Sequence, residues 1–192
     1  MNFVLDIGNV LIDFKPELFL RSLLNDRRQE RMINDLIFNG PEWKKLDEGI
    51  MTQEEALSIF CKKEPENREV IEKVMMNLTD MLTPIPETIE LLPKIKAAGH
   101  KLYFLSNYHV KLRQYACTEF EFFDLFDGGV FSCDVHLLKP SVEVFRYFLD
   151  KYRLEPERCL FFDDMEQNVM AAKSVGMKGV LFRGVQDIAR FL

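Results

Sequence analysis

Four polar clusters in this chain carry the residue types that chemistry needs: Asp6, Ser106-Asn107, Lys139 and Asp163-Asp164. Each stands where an apolar run stops or a helical pattern opens. Asp6 ends Phe3-Val4-Leu5, and Gly8-Asn9 breaks the pattern before Val10-Leu11-Ile12. A short apolar run bounded by turn residues reads as a strand buried on both faces. Asp6 is therefore expected at the carboxyl end of a first strand, where open α/β sheets place their ligand crevices. An acid that closes an apolar strand needs a partner, because burying an unpaired charge is costly. Taken singly, the other three have ordinary explanations. Ser106-Asn107 suits a helix cap, Lys139 before Pro140 suits a solvated lysine, and Asp163-Asp164 suits the cap of a helix beginning at Glu166. Brought to one crevice they would supply three carboxylates, an ammonium, a hydroxyl and an amide. Carboxylates with a backbone carbonyl form a hard oxygen site suited to Mg²⁺, which bridges readily to phosphate. Lysine and serine donors suit phosphate oxygens. The set matches in-line phosphoryl transfer, with an oxygen nucleophile, a metal and charge stabilisation.

The elements that must bring these clusters together follow from periodicity. After the first strand, residues 15–83 read as helical throughout. Pro16 starts a helix with an apolar face through Leu18-Phe19-Leu20 and Leu23-Leu24, and a second covers Arg28–Phe38 up to the breaker Asn39-Gly40-Pro41. Thr52-Gln53-Glu54-Glu55 is a capping box for a third, and a fourth runs from Glu66 to about Asn77. Thr83-Pro84-Ile85-Pro86 reads as a stiff linker, and Glu87–Ala98 as one amphipathic helix stopped by Gly99. From there strands and helices alternate, with strands at Lys101–Leu105, Gly129–Ser132, Cys159–Phe162 and Gly179–Phe182. That alternation predicts a parallel sheet with right-handed crossovers. The expected fold is α/β, a Rossmann-like sheet of about five strands in the order 3-2-1-4-5, flanked by helices. The core would comprise residues 1–14 and 84–192, with a small all-helical cap over 15–83.

Composition narrows the class. The 192 residues are 47% hydrophobic and 29% charged, as in an ordinary globular protein. A formal charge of −6 with no basic stripe argues against a nucleic-acid partner. Cys61, Cys117, Cys133 and Cys159 are widely separated and form no zinc pattern with His100, His109 and His136, which fits reduced thiols in a cytoplasmic protein. Residues 1–12 lack a charged leader and a cleavage site, so they read as a strand and not a signal peptide. No apolar run reaches bilayer length. A monomer or a homodimer is expected.

With these residues in hand, the chain resembles the haloacid dehalogenase-like hydrolase superfamily, and within it the small-cap phosphatases similar to α-glucose-1-phosphate phosphatases and to the N-terminal phosphatase of epoxide hydrolases. The resemblance spans the chain. It rests on Asp6-Ile7-Gly8-Asn9-Val10, Leu105-Ser106-Asn107, Leu138-Lys139-Pro140 and Phe162-Asp163-Asp164 in that order, with Trp43 and Leu46-Asp47-Glu48-Gly49, Thr52 and Glu55 in the cap. It implies a Mg²⁺-dependent phosphatase acting on a small phosphorylated metabolite, such as a sugar phosphate. Asp6 would attack phosphorus and form an aspartyl-phosphate that water hydrolyses. Asp6, the Gly8 carbonyl and Asp164 would hold Mg²⁺. Ser106, the Asn107 backbone and Lys139 would hold the phosphoryl group, with Asp163 orienting Lys139 or a metal-bound water. Asn168 would support the Asp163-Asp164 loop.

One departure from that pattern matters. Most phosphatases of the superfamily carry a second aspartate two residues after the nucleophile as general acid and base, and here that position is Gly8. The chemistry either tolerates the gap, as the resembling branch does with the same Asp-x-Gly-Asn-Val pattern, or fills it from Asp13, Asp47 or Glu48. Two other readings are a phosphate-ligand binding protein with little turnover and a metal-free dehalogenase; Asp163-Asp164 counts against the latter. Trp43, Phe14, Phe19, Tyr108 and His109 are candidates for the substrate wall, although packing between cap and core is the commoner role for each.

Overall fold

The computed structural model describes all 192 residues. It contains seven strands: β1 (Asn2–Leu5), β2 (Ile12–Asp13), β3 (Thr83–Pro84), β4 (Lys101–Ser106), β5 (Gly128–Phe131), β6 (Cys159–Asp163) and β7 (Lys178–Leu181). Five of them form one parallel sheet in the order β5-β4-β1-β6-β7, which is the expected 3-2-1-4-5 in sheet-strand numbering. Leu5 pairs with Phe104 on one side and Phe162 on the other. The loops after β1, β4 and β6 therefore open side by side, at the point where the winding direction reverses.

The sheet's pleat sorts its apolar residues between two clusters. Phe3, Leu5, Leu102, Leu160 and Phe162 face one way, while Val4, Tyr103, Leu105, Cys159 and Phe161 face the other, as a period-two strand requires. The first face joins a cluster that also contains Leu20, Ile33, Ile37, Phe60, Ile71 and Val74 from the helices between β2 and β3. Those helices thus share one continuous core with the sheet. The second face packs against Val144, Phe145, Phe148 and Leu149 of the helix Val142–Tyr152.

Local signals held where the chemistry is short-range. Pro16 opens a helix, and Thr52 and Glu55 exchange both bonds of the capping box; Pro41, expected only as part of a breaker, also opens a helix, Pro41–Asp47. Three expectations need correction. Thr83-Pro84-Ile85-Pro86 is not a bare linker: Thr83–Pro84 pairs antiparallel with Ile12–Asp13, and the Ile85 N–H donates to the Leu11 carbonyl at 2.8 Å, forming the neck of the helical insertion. The single helix over Glu87–Ala98 is two, Pro86–Ile89 and Leu92–Ala97, because Pro93 has no N–H to offer the Ile89 carbonyl and its ring crowds the preceding turn. The second cap helix runs Arg27–Ile33 and then widens to a π-helical turn over Asn34–Phe38. Phe120, Phe122, Phe123 and Phe126 pack on one another, with Phe104 edge-on to Phe123 and Phe126.

Phe145 is fully buried and meets Phe161 edge-on with ring centroids 5.2 Å apart. Phe145→Ala removes that contact and leaves a void behind the strand that ends in Asp163. Urea unfolding is expected to record a loss of about 3–5 kcal/mol.

Candidate active site

The site is built around the Lys139 ammonium, which is 5% exposed as a residue. Its Nζ lies 2.8 Å from Asp6 Oδ1 and 2.6 Å from Asp163 Oδ2. β1 and β6 are neighbours, so their terminal carboxylates stand close enough for one cation to bridge both. An ammonium carries three donor protons, and these two contacts leave one for another acceptor. Burial opposes the charge on Lys139, yet the Asp6 and Asp163 carboxylates outweigh it and hold the ammonium above its ordinary range. Burial also pushes the Asp6 carboxyl up, to about 7, against the downward pull of Lys139 and the nearby Ser106 hydroxyl. A bound cation would add to that downward pull.

The three carboxylates of the cluster differ in what remains free. Asp163 is fully buried and accepts from Lys139 Nζ, from the Met165 N–H at 2.8 Å and from Asn168 Nδ2 at 2.9 and 3.0 Å. A carboxylate has about four lone-pair sites, so Asp163 is saturated. Asp6 uses Oδ1 for Lys139 and for the Ile7 N–H at 2.8 Å, leaving its second oxygen clear of both donors. Asp164 accepts from Asn9 Nδ2 at 3.0 Å. Carboxylate oxygens of all three lie within 4.8 Å of one another. This donor set fits a hard divalent cation such as Mg²⁺, and by lone-pair count the residues that could hold it are Asp6 and Asp164, with Asp163 occupied elsewhere. Gly8 lines the same chamber.

Two asparagines hold the loops in register. Asn107 Nδ2 donates to the Lys139 carbonyl at 3.0 Å, and the Lys139 N–H donates back to Asn107 Oδ1 at 2.9 Å. The Asn107 amide is thereby tied to the Lys139 main chain, with one Nδ2 proton left over. Asn9, in the left-handed region at φ 53°, accepts from the Phe14 N–H at 3.0 Å while donating to Asp164. Nothing in the residue pattern singles out Asn9 for this tie, beyond its place in the turn.

Between the sheet loops and the helix Pro41–Asp47 lies a chamber of about 200 Å³ whose wall includes Asp6, Ser106, Lys139 and Asp164. It opens to an outer groove of about 860 Å³. Of the candidate wall residues, Phe14, Trp43, Tyr108 and His109 line the chamber. Phe19 does not; it packs edge-on to Phe38. Trp43 tilts against Phe38 and against His109 at 4.8 and 5.3 Å and also lines the chamber. Burial pushes the His109 imidazole down, to about 4, so it is neutral near pH 7. Its Nε2 and the Tyr108 hydroxyl have no partner in the protein. Asp47 also lines the chamber, whereas Asp13 pairs with Lys15 at 2.6 Å outside it and Glu48 lines only the groove.

The parallel sheet carries an acidic cluster at the carboxyl ends of its strands, and the helices between β2 and β3 share its core. A family model described as haloacid dehalogenase-like hydrolase matches residues 1–176, and the chain belongs to that family. It is 25% identical over 178 residues to the sesquiterpene phosphatase astK of Aspergillus oryzae, covering 92% of this chain and 87% of the relative. It is 26% identical over 133 residues to the phosphorylated carbohydrates phosphatase of Thermotoga maritima, covering 69% and 62%. Among solved structures, a haloacid dehalogenase family enzyme of Bacteroides thetaiotaomicron, crystallised with magnesium and inorganic phosphate, superimposes with a TM-score of 0.76 at 18% identity over 100% of this chain and 98% of that one. The family is one of hydrolases, and both of these sequence relatives are phosphatases. No helix is long and apolar enough to cross a membrane.

Two outcomes follow from this geometry. Asn168→Ala strips Asp163 of a donor that reaches both its oxygens, and thermal or urea unfolding is expected to show a loss of about 1.5–3 kcal/mol, the range for hydrogen bonds to charged groups. A Cβ on Gly8 would meet no atom within 4 Å, so Gly8→Asp is expected to fold, with Tm within about 4 °C of the parent, as a cost below 1 kcal/mol allows.

Proposed function

We propose that the protein is a Mg²⁺-dependent phosphatase that hydrolyses a small phosphorylated metabolite through an aspartyl-phosphate on Asp6. The observation that carries this reading is the buried ammonium of Lys139 held between Asp6 and Asp163 at the mouth of the sheet. The lysine pins one oxygen of Asp6 and leaves the other to attack phosphorus. Its third proton, with the Ser106 hydroxyl and the Asn107 backbone, would receive the phosphoryl oxygens. Asp6, the Gly8 carbonyl and Asp164 would hold Mg²⁺, which when bound neutralises charge on the transferring group. Asp163 would act from behind, fixing Lys139 while Asn168 and the Met165 N–H fix Asp163. Residues 15–83 would serve as the cap over a core of 1–14 and 84–192, closing the chamber against water.

A sugar phosphate is the substrate class that this wall supports best. The Trp43 face offers a stacking surface, with Tyr108 and His109 beside it in the chamber wall. The named activity of the Thermotoga maritima relative, toward phosphorylated carbohydrates, points the same way. The sesquiterpene phosphatase relative makes prenyl monophosphates the necessary comparison in a substrate panel.

Asp6→Asn preserves side-chain volume and removes the nucleophile. With p-nitrophenyl phosphate and Mg²⁺, kcat is expected to fall at least about 10³-fold with no loss of the folded circular dichroism spectrum. Near-normal turnover by this variant would overturn the assignment of Asp6. Chelation with EDTA is expected to abolish wild-type hydrolysis, and added Mg²⁺ to restore it. No hydrolysis by metal-loaded protein across sugar phosphates, prenyl monophosphates and p-nitrophenyl phosphate would sink the phosphatase reading.

A further inference from the structure

Phosphoryl transfer through Asp6 needs a proton for the leaving oxygen and a base for the water that follows, and Gly8 supplies neither. We propose that the carboxyl of Asp47, on the cap, is the general acid and base of the reaction, entering the site from the side opposite the sheet. This rests on the phosphatase reading above.

Three observations carry it. Asp47 closes the helix Pro41–Asp47 and is the one titratable side chain of the cap that lines the inner chamber. Only Trp43, Asp47, Asn107 and Lys139 line both chamber and groove, so Asp47 stands at the junction through which a leaving group departs and water enters. The other two carboxyls in the chamber, Asp6 and Asp164, already have nucleophilic and metal roles.

Its placement is built rather than incidental. The Asp47 carbonyl accepts from the Ser132 hydroxyl, which in turn accepts from the Tyr108 N–H at 2.9 Å, beside the Ser106-Asn107 loop. The Glu48 carbonyl meets His136 Nδ1 at 2.8 Å. Gly49 follows at φ +73°, where a Cβ would lie 2.5 Å from the Cys133 carbonyl oxygen. Three consecutive cap residues are thus latched by their backbones to residues 132–136 of the core. The Asp47 side chain is left without a hydrogen-bond partner in the protein, facing the chamber.

Its electrostatics agree with that role. Burial, with a smaller contribution from the Asp6 charge, pushes the Asp47 carboxyl up to about 7, where a carboxylic acid can give and retake a proton near neutral pH. In the first step an Asp6 oxygen bonds to phosphorus, the bond from phosphorus to the leaving oxygen breaks, and the Asp47 proton passes to that oxygen. In the second, water attacks phosphorus, its proton returns to the Asp47 carboxylate, and the bond from phosphorus to Asp6 breaks. Asp6 and Asp47 end as they began.

The test compares aryl phosphates whose leaving groups differ in their need for a proton. For Asp47→Asn with Mg²⁺, kcat/KM, which reports phosphoenzyme formation, is expected to fall at least about 10²-fold on phenyl phosphate. On 2,4-dinitrophenyl phosphate, whose phenolate leaves unprotonated, it is expected to fall less than about tenfold. Because the base for water is also gone, the dinitrophenyl ester should release a burst of about one phenolate per protein before a slow steady rate. Asp47→Ala should repeat the pattern. Equal losses on both esters in both variants, or the absence of a burst, would overturn the role of Asp47. Wild-type protein inactive on every aryl phosphate would instead overturn the phosphatase reading itself.

Discussion

The structure depends on one buried cation. Lys139 is almost entirely removed from water, and its ammonium is tolerable there only because two carboxylates stand on either side of it. Asp6 comes from the end of β1 and Asp163 from the end of β6, so the ion cluster ties together the two central strands and the loop that brings in Lys139. The packing behind them keeps that geometry. Phe161 and Phe162 are fully buried, and the Phe161 ring lies 5.5 Å from the Lys139 ammonium.

That cluster also divides labour among three similar side chains. Lone-pair occupancy separates them: Asp163 accepts four hydrogen bonds from three groups, Asp6 is half filled and Asp164 accepts from Asn9. The same residue type can therefore play different parts in the proposed reaction according to which oxygens remain open. Preorganised charge of this kind suits the proposed phosphoryl transfer, because it needs no reorganisation at the moment of reaction.

The helices between β2 and β3 are joined to the sheet by a short ribbon and a shared apolar cluster. Its polar ties to the core concentrate where residues 47–49 meet residues 132–136. The chamber is roofed by Trp43 and Asp47 and floored by the sheet loops. The wall therefore belongs to two parts of the chain far apart in sequence, and changes in the helix Pro41–Asp47 can alter what is held without disturbing the acidic floor.

Short-range chemistry made much of this legible from residues alone. The apolar runs at Phe3-Val4-Leu5 and Leu160-Phe161-Phe162 announced buried strands, Thr52 with Glu55 announced a helix start, and the polar residues closing β1, β4 and β6 announced a crevice, because strand alternation and capping act within a few residues. Other features were decided only by tertiary structure. The pairing of Thr83–Pro84 with Ile12–Asp13 depends on two segments separated by the whole insertion. The commitment of the Asn107 amide to the Lys139 main chain depends on a loop 32 residues away. Asp13, Asp47 and Glu48 are equivalent acids in the sequence. One is paired with a lysine, one lines the groove and one enters the chamber, because burial and proximity arise only when the cap helix is seated on the core. The sequence by itself determined which residue types end the strands. Folding decided which of their oxygens were left free.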